Sequence, residues 1–126
     1  MRIAVRGTAA EANASLQKGW VVGHFMPPGV SQSDDFEVKL WHYDENPDYP
    51  FKEFDGTELI IIYGGMLEIE IEESEVFTQV VLDGTDHEYV ILAPGTKKQV
   101  RVLQAPAFGV TVRWPSSDGR NKVLGT

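Results

Sequence analysis

The chain has no cysteine among its 126 residues. That absence excludes a disulfide framework, a thiolate nucleophile and a thiolate-held metal. Basic residues are scarce as well: 11 Lys and Arg stand against 19 Asp and Glu, for a formal charge of −8 and a pI near 4.7. Such a balance does not suit displacing counterions from nucleic-acid phosphates or clinging to anionic lipid. Neither nucleic acid nor a membrane is therefore expected as a partner. Long apolar runs are missing too. No run, Leu59–Tyr63 included, comes near the ~20 residues that span a bilayer. The first residues carry Arg2, Arg6, Glu11 and Lys18 and lack the apolar core of a signal peptide. A cytoplasmic location is the expectation.

What is present describes an ordinary folded domain, with 42% hydrophobic and 24% charged residues. The length suits a single domain over residues 1–126. Thr8-Ala9-Ala10-Glu11 has the form of a capping box, and Gly19 stands where a left-handed helix stop is wanted. This predicts one helix over Ala9–Lys18. Beyond it the period changes to two. Trp20–Val22 and His24–Met26 flank Gly23. Phe36–Tyr43 alternates, with Phe36, Val38, Leu40 and His42 on one face and Glu37, Lys39, Trp41 and Tyr43 on the other. Glu58–Tyr63 ends at Gly64-Gly65, and Met66–Glu72 sets Leu67, Ile69 and Ile71 against Glu68, Glu70 and Glu72. Phe77–Leu82, Tyr89–Leu92, Gln99–Leu103 and Gly109–Trp114 follow, the last two divided by Gln104-Ala105-Pro106. The polar stretch from Pro115 is read as a loosely held tail. About eight short strands and one helix make an all-β sandwich or barrel.

Some residues carry possible chemistry. His24, His42 and His87 are the only imidazoles. An atypical metal site built from them is conceivable, but structural or surface roles are the simpler reading. His42 is the exception, since an inward imidazole near Asp44 could act as a general base. Trp41, Tyr43, Phe51, Phe54 and Tyr63 cluster in sequence and could line a small-molecule pocket or simply fill a core. The Glu68, Glu70, Glu72 ladder reads as a solvated face, while Arg101 and Arg113 could face either way. Leu59–Tyr63 and Val90–Leu92 are apolar on both faces, so the second face needs cover: a homodimer is the economical expectation, and the N-terminal segment folding back over it is the alternative.

Glu58 and Gly65, the two-glycine turn before Met66-Leu67-Glu68, and Ala93-Pro94-Gly95-Thr96-Lys97-Lys98 together resemble the two motifs of the cupin superfamily. Gly19–Phe25 and Val112–Ser116 resemble the flanks of a group of small single-domain bacterial cupins, from which no function carries over. The resemblance implies an all-β, cupin-type jelly-roll barrel with a short N-terminal helix. It also implies where a metal would sit, and there the chain departs from the pattern. The first-motif histidines would fall at Phe51 and Glu53, or at Lys52 and Phe54, and the second-motif histidine at Lys98. Of the usual imidazole and carboxylate ligands only Glu58 is kept, so no metal and no cofactor is expected. If the motifs align, Glu58 and Lys98 both point inward and must pair or meet a polar ligand.

The leading expectation is metal-free binding of a small organic ligand, with Glu58, Lys98, Glu53, His42, Phe51 and Trp41 as candidate ligand-binding residues. A metal-independent isomerase, epimerase or lyase using Glu58, Lys98 or His42 for proton transfer is the enzymatic alternative. A structural protein with a barrel filled by side chains is the third. Open volume beside Glu58 separates the last from the other two.

Overall fold

A computed structural model describes residues 4–116 and the strand Asn121–Val123. Its elements are a helix α1 (Ala9–Ala14) and eight strands: β1 (Trp20–Val22), β2 (Glu37–Tyr43), β3 (Lys52–Phe54), β4 (Thr57–Glu73), β5 (Val76–Asp83), β6 (Tyr89–Leu92), β7 (Thr96–Trp114) and β8 (Asn121–Val123). All strand pairs are antiparallel.

β4 and β7 organise everything else. Their first and second halves belong to two facing layers. The C-terminal half of β7 pairs with β2 and with the start of β4, and β1 and β6 extend that layer on either side. The N-terminal half of β7 pairs with β3 and the end of β4, and β8 and β5 complete the second layer. This is an all-β jelly roll with one short helix, as expected.

The sequence reading placed breaks where the structure has bends. Gly64-Gly65 does not end a strand, and neither does Gln104-Ala105-Pro106. Both lie inside long strands where the β4–β7 register is irregular. Gly65 takes a positive φ of 75°, and a Cβ there would come within 2.4 Å of the Pro106 carbonyl oxygen. Only glycine meets both demands. The irregularity also changes which positions face inward. Before it Glu58, Ile60 and Ile62 are buried; after it Leu67 and Ile69 are.

Three smaller expectations are corrected. The helix stops at Ala14 rather than Lys18. Ser15 leaves helical backbone (φ −77°, ψ 170°) and its hydroxyl donates to the Ala12 carbonyl instead. Its start agrees with the capping box, since the Thr8 hydroxyl accepts from the Glu11 N–H at 3.1 Å. His24–Met26 is a turn, closed by Met26 N–H donating to the Gly23 carbonyl. β8 lies in a stretch read as tail, of which 117–120 and 124–126 are outside the described residues; β3 lies in a stretch to which no element was assigned.

Ile60, Ile62, Leu67, Ile69, Leu82, Leu92, Ala107 and Trp41 form the core between the layers. The outer face of the first layer is also apolar. In register across β2, β7, β4 and β6 run Val38, Val112, Leu59 and Ile91, then Leu40, Val110, Ile61 and Tyr89. Among the described residues no helix is long and apolar enough to cross a membrane.

Candidate functional site

Alternation along three neighbouring strands builds the site. On β2 the inward face is Glu37, Lys39, Trp41 and Tyr43, so the more polar face is the buried one. Register then sets Glu37 opposite Arg113 and Arg113 opposite Glu58, a row of alternating charge across β2, β7 and β4. In the facing layer Lys52 of β3 stands opposite Lys98 of β7.

Glu58 joins the two layers. Its Oε1 lies 2.9 Å from Lys98 Nζ, and its Oε2 accepts from Arg113 Nε at 2.5 Å. The Glu58 side chain is only 3% exposed and that of Lys98 9%. Burial by itself would push the Glu58 carboxyl up. Lys98 and Arg113 outweigh it by charge and hydrogen bonding, and hold the carboxyl below its ordinary 4.5. Arg113 also reaches Glu37 Oε1 at 3.7 Å. Glu37 in turn accepts from the buried Ser116 hydroxyl at 2.8 Å, and Ser116 Oγ accepts from the His24 backbone N–H at 3.0 Å. The guanidinium carbon lies over two rings, 5.0 Å from the Trp20 centroid and 4.9 Å from that of Phe54. The network fixes the charged end of the barrel in one arrangement.

Beside it the barrel is open. A cavity of about 90 Å3 is lined by Lys39, Lys52, Lys98, Arg113 and Glu58, by Trp41, Tyr43 and Tyr49, and by Ile60, Leu67, Val100, Thr111 and Pro50. Its exposed lining residues, Tyr49 and Pro50, mark the rim. Burial, then the charges of Arg113, Lys52 and Lys98, lowers Lys39 to about 8 against a small opposing pull from Glu58. Lys52 is lowered by the same kinds of cause. Burial, then Tyr49, pushes Tyr43 up, so it stays a neutral phenol.

The residues nominated from sequence divide. Glu58, Lys98 and Trp41 line the cavity. Phe51 and Glu53 do not, because on β3 the inward positions are Lys52 and Phe54. Phe51 packs edge-on against Phe77 instead. His42 sits on the outer face of β2, exposed, 3.0 Å from Asp44 Oδ1 and stacked on Phe108. It shares a face with Val38 and Leu40 as read, but that face is the outer one, so no base is offered to the cavity. Lys39 and Arg113 were not singled out for the site. Their signal was parity, Lys39 with Trp41 on β2 and Arg113 with Thr111 on β7, which shows a shared face without showing which face is inward. Lys52 was legible only as one of two motif registers.

Of the two registers that the motif resemblance allows, Lys52 and Phe54 are the inward pair on β3, beside Lys98 and Glu58, with Arg113 on Glu58. A divalent ion would meet cations where it needs lone pairs, so this donor set does not fit a metal. Among the described residues, no three His, Asp or Glu side chains gather to hold one elsewhere.

No family model matches the chain, and no curated protein sequence does. Solved structures do. A variant of oxalate decarboxylase from B. subtilis superposes with a TM-score of 0.63 at 12% identity, covering 73% of this chain and 25% of its own. Oxalate oxidase bound to the substrate analogue glycolate gives 0.59 at 13%, over 71% and 46%. Peruvianin-I, described as a cysteine peptidase from Thevetia peruviana latex, gives 0.60 at 10%, over 72% and 56%. The chain thus spans between a quarter and just over half of these proteins. The two oxalate enzymes are cupins, and at such identities the likeness shows the fold alone: a cupin jelly roll.

Proposed function

We propose that the protein binds a small organic ligand inside its barrel, without a metal. The observation that carries this is the open volume of about 90 Å3 beside Glu58, lined by charged groups, aromatic rings and aliphatic side chains. A barrel kept only for architecture would fill that space with side chains, since interiors are close-packed. Concave sites with apolar walls and a few convergent polar groups are the usual form of small-molecule sites. The test is a melting-temperature screen of small acids, sugars and polyols against the native chain and Val100→Phe, which fills the cavity. At least one compound should stabilise the native chain saturably and leave Val100→Phe unmoved. No stabilising compound, or stabilisation that survives in Val100→Phe, would contradict the reading.

A proton-transfer enzyme is the second reading, and Lys39 is the observation in its favour. An amine lowered to about 8 inside a cavity lies near the range where a general base works best. Glu58, locked as an anion by two cations, is a poor proton acceptor by comparison.

We further propose a homodimer through the outer face of the first layer. Tyr89 and Ile91 are 64% and 56% exposed there, in line with the apolar rows on β2, β7 and β4. Contiguous apolar patches of this kind are uncommon on free surfaces. Light scattering should give twice the chain mass for the native protein and the single mass for Ile91→Asp; a monomer in both cases would contradict it.

A further inference from the structure

We infer that the cavity's ligand is a small organic acid, its carboxylate held between the ammonium groups of Lys39 and Lys52. The inference rests on the ligand-binding reading above and names the chemical class. It follows from a charge balance inside the barrel. Glu58 is paired with both Lys98 and Arg113, and Arg113 also faces Glu37. Those two cations and two carboxylates cancel. Lys39 and Lys52 are left over. Among the described residues no carboxylate oxygen lies within 4.0 Å of either ammonium group. Both are drawn to one ring instead, with Lys39 Nζ 5.8 Å and Lys52 Nζ 4.6 Å from the Tyr49 centroid. An aromatic face attracts a cation but does not neutralise it. A chain of formal charge −8 therefore keeps two unmatched cations at this cavity. Burial, then the charges of Arg113 and Lys98, lowers the proton affinity of both lysines, and Lys52 adds to the effect on Lys39; an anion between them would relieve that crowding of positive charge.

The walls decide between kinds of anion. Trp41, Ile60, Leu67 and Val100 give the cavity an apolar side that inorganic phosphate would leave unused. Size limits the ligand further. Since an engineered cavity of ~150 Å3 holds benzene, the 90 Å3 here takes about four non-hydrogen atoms by the same measure. That is a carboxylate and its neighbouring carbon, with any remainder passing the rim at Tyr49 and Pro50.

The experiment is calorimetric titration of the full chain at neutral pH with malonate, with its neutral diamide and with inorganic phosphate. The same titrations are run on Lys39→Met, Lys52→Met and Lys39→Arg, each first shown by its circular dichroism and melting curve to be folded. Malonate should bind saturably, and the diamide should bind at least about tenfold more weakly, as should malonate to either Met variant, the loss typical of a charge-assisted hydrogen bond. Lys39→Arg should recover most of the affinity. A diamide that binds as well as malonate, or Met variants that bind malonate like the native chain, would overturn the acid inference and leave the ligand-binding reading standing. Phosphate tighter than malonate would make this an inorganic-anion site and overturn it as well. Absence of saturable binding by all three up to about 10 mM, weaker than any useful recognition, would also overturn it. The sugars and polyols of the melting screen then show whether the broader reading falls too.

Discussion

Glu58 and Glu68 lie on the same strand, and each faces an arginine of β7 in register: Glu58 opposite Arg113, Glu68 opposite Arg101. Both pairs are in contact, at 2.5 and 2.7 Å. Their surroundings differ completely. Glu58 and Arg113 are 3% and 13% exposed, whereas Glu68 and Arg101 are 18% and 59% exposed. Both glutamates also occupy even-numbered positions of a period-two strand, so an unbroken β4 would put them on one face. The irregular register around Gly64-Gly65 turns even positions from inside to outside between them. A local backbone device thus decides which of two similar ion pairs becomes the centre of a site and which stays on the solvated face.

Energetics should follow the same division. Replacing Glu58 by Gln strands Lys98 and leaves Arg113 only the longer contact to Glu37, next to two further cations. Losing one partner of a buried pair typically costs about 3–5 kcal/mol, so Glu58→Gln should give the largest loss, read as a drop in melting midpoint of order 10 °C. A midpoint within a few degrees of native would mean that water reaches the pair and that the interior reading of Glu58 is wrong.

The acid response should be intermediate. Glu58 has a folded-state pKa below its ordinary 4.5. Its stabilising contribution is therefore fully present above that value and is lost as pH falls through the folded-state pKa. Denaturant titrations of the native chain should show this loss below about pH 4.5, and Glu58→Gln should lack that component. Identical acid profiles for the two proteins would show that Glu58 gains nothing from its partners.

Arg101→Ala should show the smallest effect. Exposed pairs are worth about 0–1 kcal/mol and are screened by salt, so its midpoint should move little and should converge on the native value as salt is raised. A loss comparable with that of Glu58→Gln would erase the distinction between the two faces.

Much of this was legible in the residues, and the limits have physical causes. Alternation within β2, β4 and β5 was enough for an all-β sandwich or barrel, and the motif resemblance, with its turn at Pro94-Gly95, implied the jelly roll. Motif spacing was enough to bring Glu58 and Lys98 to one level of it. A period of two, however, says which residues share a face and nothing about which face is buried. On β2 the more apolar set, Val38 and Leu40, is the outer one, and this placed His42 in the interior by analogy and left Lys39 out of the site. Arg113 was undecided for the same reason, because its orientation depends on pairing with both β2 and β4. The glycine pair was visible as a break, but bulge and turn use glycine alike. Only the partner strand distinguishes them. β3 is three residues long, too short for periodicity to register, so Lys52 had no signal beyond the motif.

The most direct measurement is a pair of double-mutant cycles in stability, one on Glu58→Gln with Lys98→Met and the other on Glu68→Gln with Arg101→Met. Contacting residues in a buried network couple by up to ~3 kcal/mol, whereas independent sites add to within ~0.5 kcal/mol. The interior cycle should show coupling well above ~1 kcal/mol, with the double variant milder than Glu58→Gln alone, and the surface cycle should stay below ~0.5 kcal/mol. Two small couplings of equal size would show that Glu58 and Lys98 do not meet in a shielded interior, and the site built around them would fall.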